Sequence, residues 1–222
     1  MPPAERPRIK VCCIGSVAEA QAAVAAGADA VGLVSAMPSG PGVIADDVVA
    51  EVARAVPPPV ARFLLTSRTE AGAVVEQVEA SGADTVQLVD RVEPGVWARL
   101  RSALPGRRLV QVVHVAGPAS VAEAEAAAPH VDAVLLDSGD PSLAVKELGG
   151  TGRVHDWALS REIRERLAVP VFLAGGLRAG NVAEAVRAVG PFGLDVCSGV
   201  RTDGRLDAGK LAAFVVAARG AA

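Results

Sequence analysis

Tyrosine is absent from the sequence, and aromatic residues of all kinds make up only 3% of it. A core must therefore be built from alanine, valine and leucine, and the supply is ample, since 51% of the 222 residues are hydrophobic. An excess of charge of either sign is also lacking. The formal net charge is −3, with no run of like charges and no basic stripe, which argues against nucleic acid and anionic membrane as partners. The apolar runs are about 5–8 residues long, far below the roughly 18 needed to span a bilayer. The opening MPPAERPRIK lacks the apolar stretch of a secretory signal. Cysteine is limited to Cys12, Cys13 and Cys197, an odd number with two adjacent. That is no disulfide framework, and it suits a reducing compartment. Vicinal thiols without a Cys/His pair at ligand spacing also make a poor zinc site, so no metal is expected. The expectation is a soluble, cytoplasmic protein.

What is present is alternation. Apolar strand-like runs near 9–14, 29–35, 60–66, 84–89, 108–115, 132–137, 170–174 and 193–198 are each followed by an Ala-rich amphipathic segment. Those segments lie near 17–26, 45–55, 69–81, 93–103, 118–127, 157–167, 179–188 and 207–219. Strands apolar on both faces are expected of a parallel sheet wrapped by helices. Eight such units in about 220 residues predict one α/β domain over 1–222, a closed (β/α)8 TIM barrel. An open doubly wound sheet would have fewer units and a Gly-rich first turn, whereas the first turn here is CCIGS. One phrase recurs, as AGADAVGLV, SGADTVQLV and HVDAVLLD. Its aspartates, Asp29, Asp84 and Asp132, fall about 50 residues apart, two βα units each time. At strand starts they read as turn residues of the stability face.

The chemistry should lie at the other ends of the strands. Cys12 ends the first strand, where a thiol can act as nucleophile or base if its surroundings favour the thiolate, or pack as a small hydrophobe. Cys13 should point the opposite way, because strand side chains alternate. Asp137 ends the sixth strand after Val134, Leu135 and Leu136, and a carboxylate there is hard to explain by packing. Desolvation would raise its pKa and suit it to general acid work. Gly175 and Gly176 follow the seventh strand, and Ser198 and Gly199 the eighth. Two such turns in the last units suggest an anion site of backbone N–H groups. The long connection 138–156, with Gly149, Gly150 and Gly152, reads as a binding loop or lid.

Taken together these motifs resemble the phosphoribosylanthranilate isomerase family, (β/α)8 enzymes of tryptophan biosynthesis. The family's K-I-C-G-I-T corresponds to KVCCIG at 10–15, A-D-A-V-G-F to ADAVGL at 28–33, and V-Q-L to 86–88. L-L-D stands at 135–137, G-G-x-G-x-x-x-D-W at 149–157 and G-G-L-x-x-x-N-V at 175–182. D-V-S-S-G-V appears as DVCSGV at 195–200. The resemblance implies an Amadori rearrangement of an aminoaldose phosphate to a 1-amino-1-deoxyketose phosphate. It makes Asp137 the general acid and Cys12 the general base, and calls for no metal or redox cofactor. Phosphate and substrate binding would fall to Gly175, Gly176, Asp195, Cys197 and Ser198, with Gly149, Gly150 and Gly152 folding over the substrate. The partner would be a small-molecule phosphosugar, bound by a monomer or homodimer, with no nucleic acid and no membrane.

The second βα loop departs from the family. The family reads roughly S-x-R-x-I there, with the Arg expected to hold the anthranilate carboxylate, but this chain has MPSGPGVI at 37–44 and no Arg. The family's Q-L-H is also Gln87-Leu88-Val89 here. A replacement donor is expected from His114, Arg68 or Arg201, each at or beyond a strand end. Two alternatives stay open, a paralogue isomerising another phosphosugar amine and a non-catalytic phosphosugar-binding barrel.

Overall fold

Strands that are apolar on both faces must be covered on both. Here helices cover the outer face, and the strands close into a ring that encloses the inner one. The computed structural model describes residues 6–139 and 154–221. Its parallel strands are β1 (Arg8–Val11), β2 (Ala30–Val34), β3 (Ala61–Thr66), β4 (Thr85–Leu88), β5 (Arg108–His114), β6 (Ala133–Asp137), β7 (Val171–Leu173) and β8 (Gly193–Val196). They pair in sequence order, and β8 closes on β1. The helices between and after them are α1 (Val17–Ala25), α2 (Asp46–Ala55), α3 (Ala71–Ser81), α4 (Pro94–Ala103), α5 (Ala119–Ala127), α6 (Trp157–Arg166), α7 (Val182–Val189) and α8 (Ala208–Arg219). This is the (β/α)8 barrel that the alternation predicts. A small hairpin of β9 (Arg201–Thr202) and β10 (Arg205–Leu206) stands between β8 and α8. No helix among the described residues is long and apolar enough to cross a membrane.

Alternation divides every strand between two layers. Ile9, Val11, Leu33, Leu64, Leu136 and Leu194 pack outward among the helices. Ala30, Phe63, Val110, Leu135 and Phe172 fill the inside of the ring. The few aromatics are used where bulk is needed: the Phe63 and Phe172 rings meet edge to face, 5.9 Å between centroids. Phe172 also occupies the space left by Gly193, where a Cβ would stand 2.4 Å from the ring.

The recurring aspartates brace the N-terminal face. Asp29 Oδ2 accepts the Ile9 N–H at 2.8 Å, Asp84 Oδ1 the Arg62 N–H at 3.0 Å, and Asp132 Oδ2 the Leu109 N–H at 2.8 Å. Each reaches from the start of an even strand to the start of the odd strand before it. Arginines complete the clamps, Arg8 on Asp29, Arg62 on Asp84, and Arg101 with Arg108 on Asp132. The sequence repeat is thus a register device for β1–β2, β3–β4 and β5–β6, and it leaves the opposite face free for chemistry.

Candidate active site

Towards the C-terminal ends of the strands the inward positions turn polar. β1 carries Lys10 inward, fully buried, and its Nζ donates to Asp195 Oδ2 of β8 at 2.9 Å. The two residues are register neighbours across the closing seam of the barrel. The ammonium also lies 5.2 Å from the centre of the Phe63 ring. Burial alone would lower the Lys10 pKa; the Asp195 carboxylate, with the Cys12 sulfur adding to it, reverses this and holds the amine above its ordinary value. Two residues past Lys10, Cys12 turns its sulfur the same way. Gly32 of β2 makes room for both, since a Cβ there would stand 2.8 Å from Cys12 Sγ and 3.1 Å from Lys10 Nζ. Lys10 and Cys12 thus share the space beside Gly32 at the mouth of the barrel.

Asp137 ends β6, in register with His114 at the end of β5. Its Oδ1 accepts the Ser138 N–H at 2.7 Å. Burial pushes the carboxyl above the usual carboxylate range, and the Asp195 charge adds to this, while the Ser138 N–H, His114 and Lys10 oppose it. A raised pKa favours retention of a proton, which is the property a general acid needs.

Cys13 does not point outward, as strict alternation predicts. β1 ends at Val11, and Cys13 has φ 62°, in the left-handed region. That turn swings its side chain to the mouth, where its sulfur stands 2.7 Å from Cys197 Sγ. Arg201 holds the turn: Nη2 donates to the Cys12 carbonyl at 3.3 Å and to the Cys13 carbonyl. The guanidinium is itself gripped by Glu19, with Nη1 to Oε1 and Nη2 to Oε2 both at 3.1 Å. Gly42 of the second loop packs on Cys13 so closely that a Cβ would stand 2.4 Å from its Cβ.

One pocket gathers these groups, a cleft of about 640 Å³ counted out to its open mouth. Cys12, Asp137, Gly175, Gly176, Asp195, Cys197 and Ser198, all singled out in the sequence, line it together with Cys13 and Gln87. The second loop contributes Met37, Ser39, Gly40 and Pro41. Gly175 (φ 81°) and Gly176 (φ 61°) need the left-handed backbone that glycine adopts without strain. The turn after β8 lies against the turn after β7, where a Cβ on Gly199 would be 1.9 Å from the Leu177 carbonyl oxygen. Gly149, Gly150 and Gly152 lie outside the described residues.

Of the three expected donors, Arg68 and Arg201 are engaged with protein groups, while His114 lies in register with Asp137 and its Nδ1 has no partner among the described residues. His114 is buried with Nε2 3.1 Å from the Val89 carbonyl, Arg68 Nη1 donates to the Ala73 carbonyl at 2.9 Å, and Arg201 is engaged as above. None of the three lines the pocket. Charge is the reason for Arg201: the Glu19 carboxylate outcompetes an open mouth for a guanidinium. Two groups escaped the sequence reading. Gln87 is 3% exposed and lines the pocket, and its Oε1 has no partner among the described residues. Its signal was an amide in the middle of an apolar strand. His155 sits under the Gly175 turn, its Nδ1 2.9 Å from where a Cβ would be, and burial lowers its pKa to about 4, so it is neutral there.

A family model described as N-(5′-phosphoribosyl)anthranilate (PRA) isomerase matches residues 9–217. The N-(5′-phosphoribosyl)anthranilate isomerase of Natronomonas pharaonis is 42% identical over 215 residues, covering 96% of this chain and 98% of the relative. Among solved structures, the phosphoribosyl anthranilate isomerase of Thermotoga maritima has a TM-score of 0.83 at 27% identity, over 96% of this chain and 99% of that one. A phosphoribosyl anthranilate isomerase in complex with reduced 1-(o-carboxyphenylamino)-1-deoxyribulose 5-phosphate has a TM-score of 0.81 at 25% identity, over 96% and 99% of the two chains. Motifs, barrel and relatives agree along nearly the whole length, and the chain belongs to the N-(5′-phosphoribosyl)anthranilate isomerase family.

Proposed function

We propose that this chain catalyses the Amadori rearrangement of N-(5′-phosphoribosyl)anthranilate to 1-(2-carboxyphenylamino)-1-deoxyribulose 5-phosphate, in tryptophan biosynthesis. The observation that carries the assignment of roles is the pairing, in one pocket, of a carboxyl from β6 whose pKa is raised with a thiol just past β1 that lies near the Lys10 ammonium. Asp137 gives its proton to the furanose ring oxygen as the C1′–O bond breaks, which opens the sugar to a Schiff base. Cys12 takes the C2′ proton, leaving an enamine that tautomerises to the ketose. Lys10, fixed by Asp195, steadies the sulfur while it carries charge. The phosphate is assigned to the backbone N–H groups of the paired turns at Gly175–Gly176 and Cys197–Ser198.

Among the described residues, the pocket lining offers the anthranilate carboxylate no cation. The Gln87 amide, the Ser39 hydroxyl and the second-loop backbone at Gly40 are donors that the described lining offers it. This cation-free loop is the one observation that favours the second reading, the same rearrangement on another phosphosugar amine. Rescue of a tryptophan auxotroph lacking the isomerase, together with turnover of N-(5′-phosphoribosyl)anthranilate by the purified protein, separates the two. Asp137→Asn and Cys12→Ser should each lower turnover by at least ~10²-fold. Full turnover in Cys12→Ser would overturn the assignment of the base.

A further inference from the structure

Two departures from the family's motifs meet in space. Cys13 stands where the motif has Gly, and Cys197 where it has Ser, 184 residues apart in sequence and 2.7 Å apart between sulfurs. We propose that Cys13 and Cys197 are a modification site, a dithiol that hydroperoxides convert to a reversible disulfide across the mouth of the barrel. Both are free thiols here, and both line the pocket, so a small oxidant reaches them. A disulfide needs the sulfurs at about 2.05 Å, a closure of roughly 0.7 Å.

Cys12 is the poorer partner. Its sulfur is packed towards Gly32 and Lys10, and the Cα atoms of adjacent residues are about 3.8 Å apart, below the usual disulfide span of roughly 4.4–6.8 Å.

The order of attack follows from the surroundings. Cys197 is the more open of the pair, and the Cys13 hydrogen bond and the Arg201 guanidinium hold it below the ordinary thiol range against the effect of burial. Cys13 is pushed up, by Cys12 first and then by Cys197 and burial. The Cys197 thiolate attacks a peroxide oxygen, the O–O bond breaks, and hydroxide leaves a sulfenic acid behind. Cys13 sulfur then attacks the sulfenic sulfur, the S–O bond breaks, and the departing hydroxide takes the Cys13 proton as water. With hydrogen peroxide, two thiols and one peroxide become one disulfide and two waters. Each sulfur has lost one electron and the peroxide has gained two. A dithiol reverses the change by exchange.

The effect on turnover rests on the isomerase assignment. The bond ties the β1 turn, next to Cys12, to the turn assigned to phosphate. Turnover should fall about tenfold or more, since misplacing reacting groups by an ångström can cost ~10²-fold.

The test treats the purified, reduced chain with hydrogen peroxide, blocks the remaining thiols with N-ethylmaleimide, and maps unreduced peptides by mass spectrometry. The count of free thiols should fall from three to one, with the peptide carrying Cys13 joined to that carrying Cys197. The link should persist in Cys12→Ser and vanish in Cys13→Gly, a residue that adopts the same turn freely. Turnover, compared with the protein's own reduced state, should drop in the wild type in step with the linked fraction and recover with dithiothreitol. Three thiols surviving peroxide, a link made through Cys12, or sulfinic acid on Cys197 without a link would overturn the proposal. A linked protein with unchanged turnover would overturn the gating. A chain that forms the link but never turns over the isomerase substrate supports the disulfide and sinks the isomerase reading instead.

Discussion

Lys10→Met tests whether the ion pair in the barrel is the hinge of both stability and site. Lys10 and Asp195 are 0% and 8% exposed, and Nζ is 2.9 Å from Oδ2. At an effective dielectric of about 20 their attraction is about 6 kcal/mol, set against the cost of desolvating both. Methionine keeps most of the lysine's length and removes the charge, which leaves a buried carboxylate whose Oδ1 already lacks a partner among the described residues. Breaking a buried pair from one side costs roughly 3–5 kcal/mol. Asp195→Asn should cost a similar amount, because it strands the ammonium. The double variant should recover much of the loss, with a coupling of about 2–3 kcal/mol. The assay is urea unfolding followed by far-UV circular dichroism, with slopes compared so that midpoint shifts report stability. Because the folded Lys10 pKa is raised, its contribution is fully present below about pH 10.4 and is lost as pH rises through the folded value. The variant's deficit should therefore be the same at pH 7 and pH 9. Single costs below about 1 kcal/mol, or a double variant equal to the sum of the singles, would refute the buried-pair reasoning.

Further outcomes follow from the same geometry. As the proposed general acid Asp137 would act in its protonated form, and its pKa is raised, so turnover should persist to a pH above the ordinary carboxylate value of about 4 before falling. Asp137→Asn should lose that limb of the pH–rate profile along with most of the rate. Gln87→Leu should raise KM about tenfold or more with turnover little changed, because a hydrogen bond to a charged group contributes about 1.5–3 kcal/mol to binding; an unchanged KM removes Gln87 from the carboxylate site. Burial tends to raise the Asp132 pKa, but the Leu109 N–H and two arginines lower it overall. Asp132→Asn should cost about 1 kcal/mol at pH 7, discounted because its arginine partners are largely exposed. The contribution is present above about pH 4 and lost as pH falls through the lower folded value, so the two unfolding curves should converge in acid.

The sequence alone carried the barrel, because a parallel strand buried on both faces writes a short unbroken apolar run and its covering helix writes an amphipathic one. It also carried Cys12 and Asp137, since the fold sends every strand end to one mouth and polar residues there stand out against apolar strands. The repeating aspartates were legible as turn residues, though not as clamps on the preceding strand. Tertiary structure decided the rest. Lys10 and Asp195 are 185 residues apart, and only closure of β8 on β1 makes one the counter-charge of the other. Arg201 looked free to meet a substrate until Glu19 claimed it. Cys13 looked outward until one left-handed residue, braced by that same arginine, turned it to meet Cys197. Period-two alternation ends where the strand ends. Beyond Val11 a side chain's direction is set by a single φ, and that angle is held by contacts from the far end of the chain.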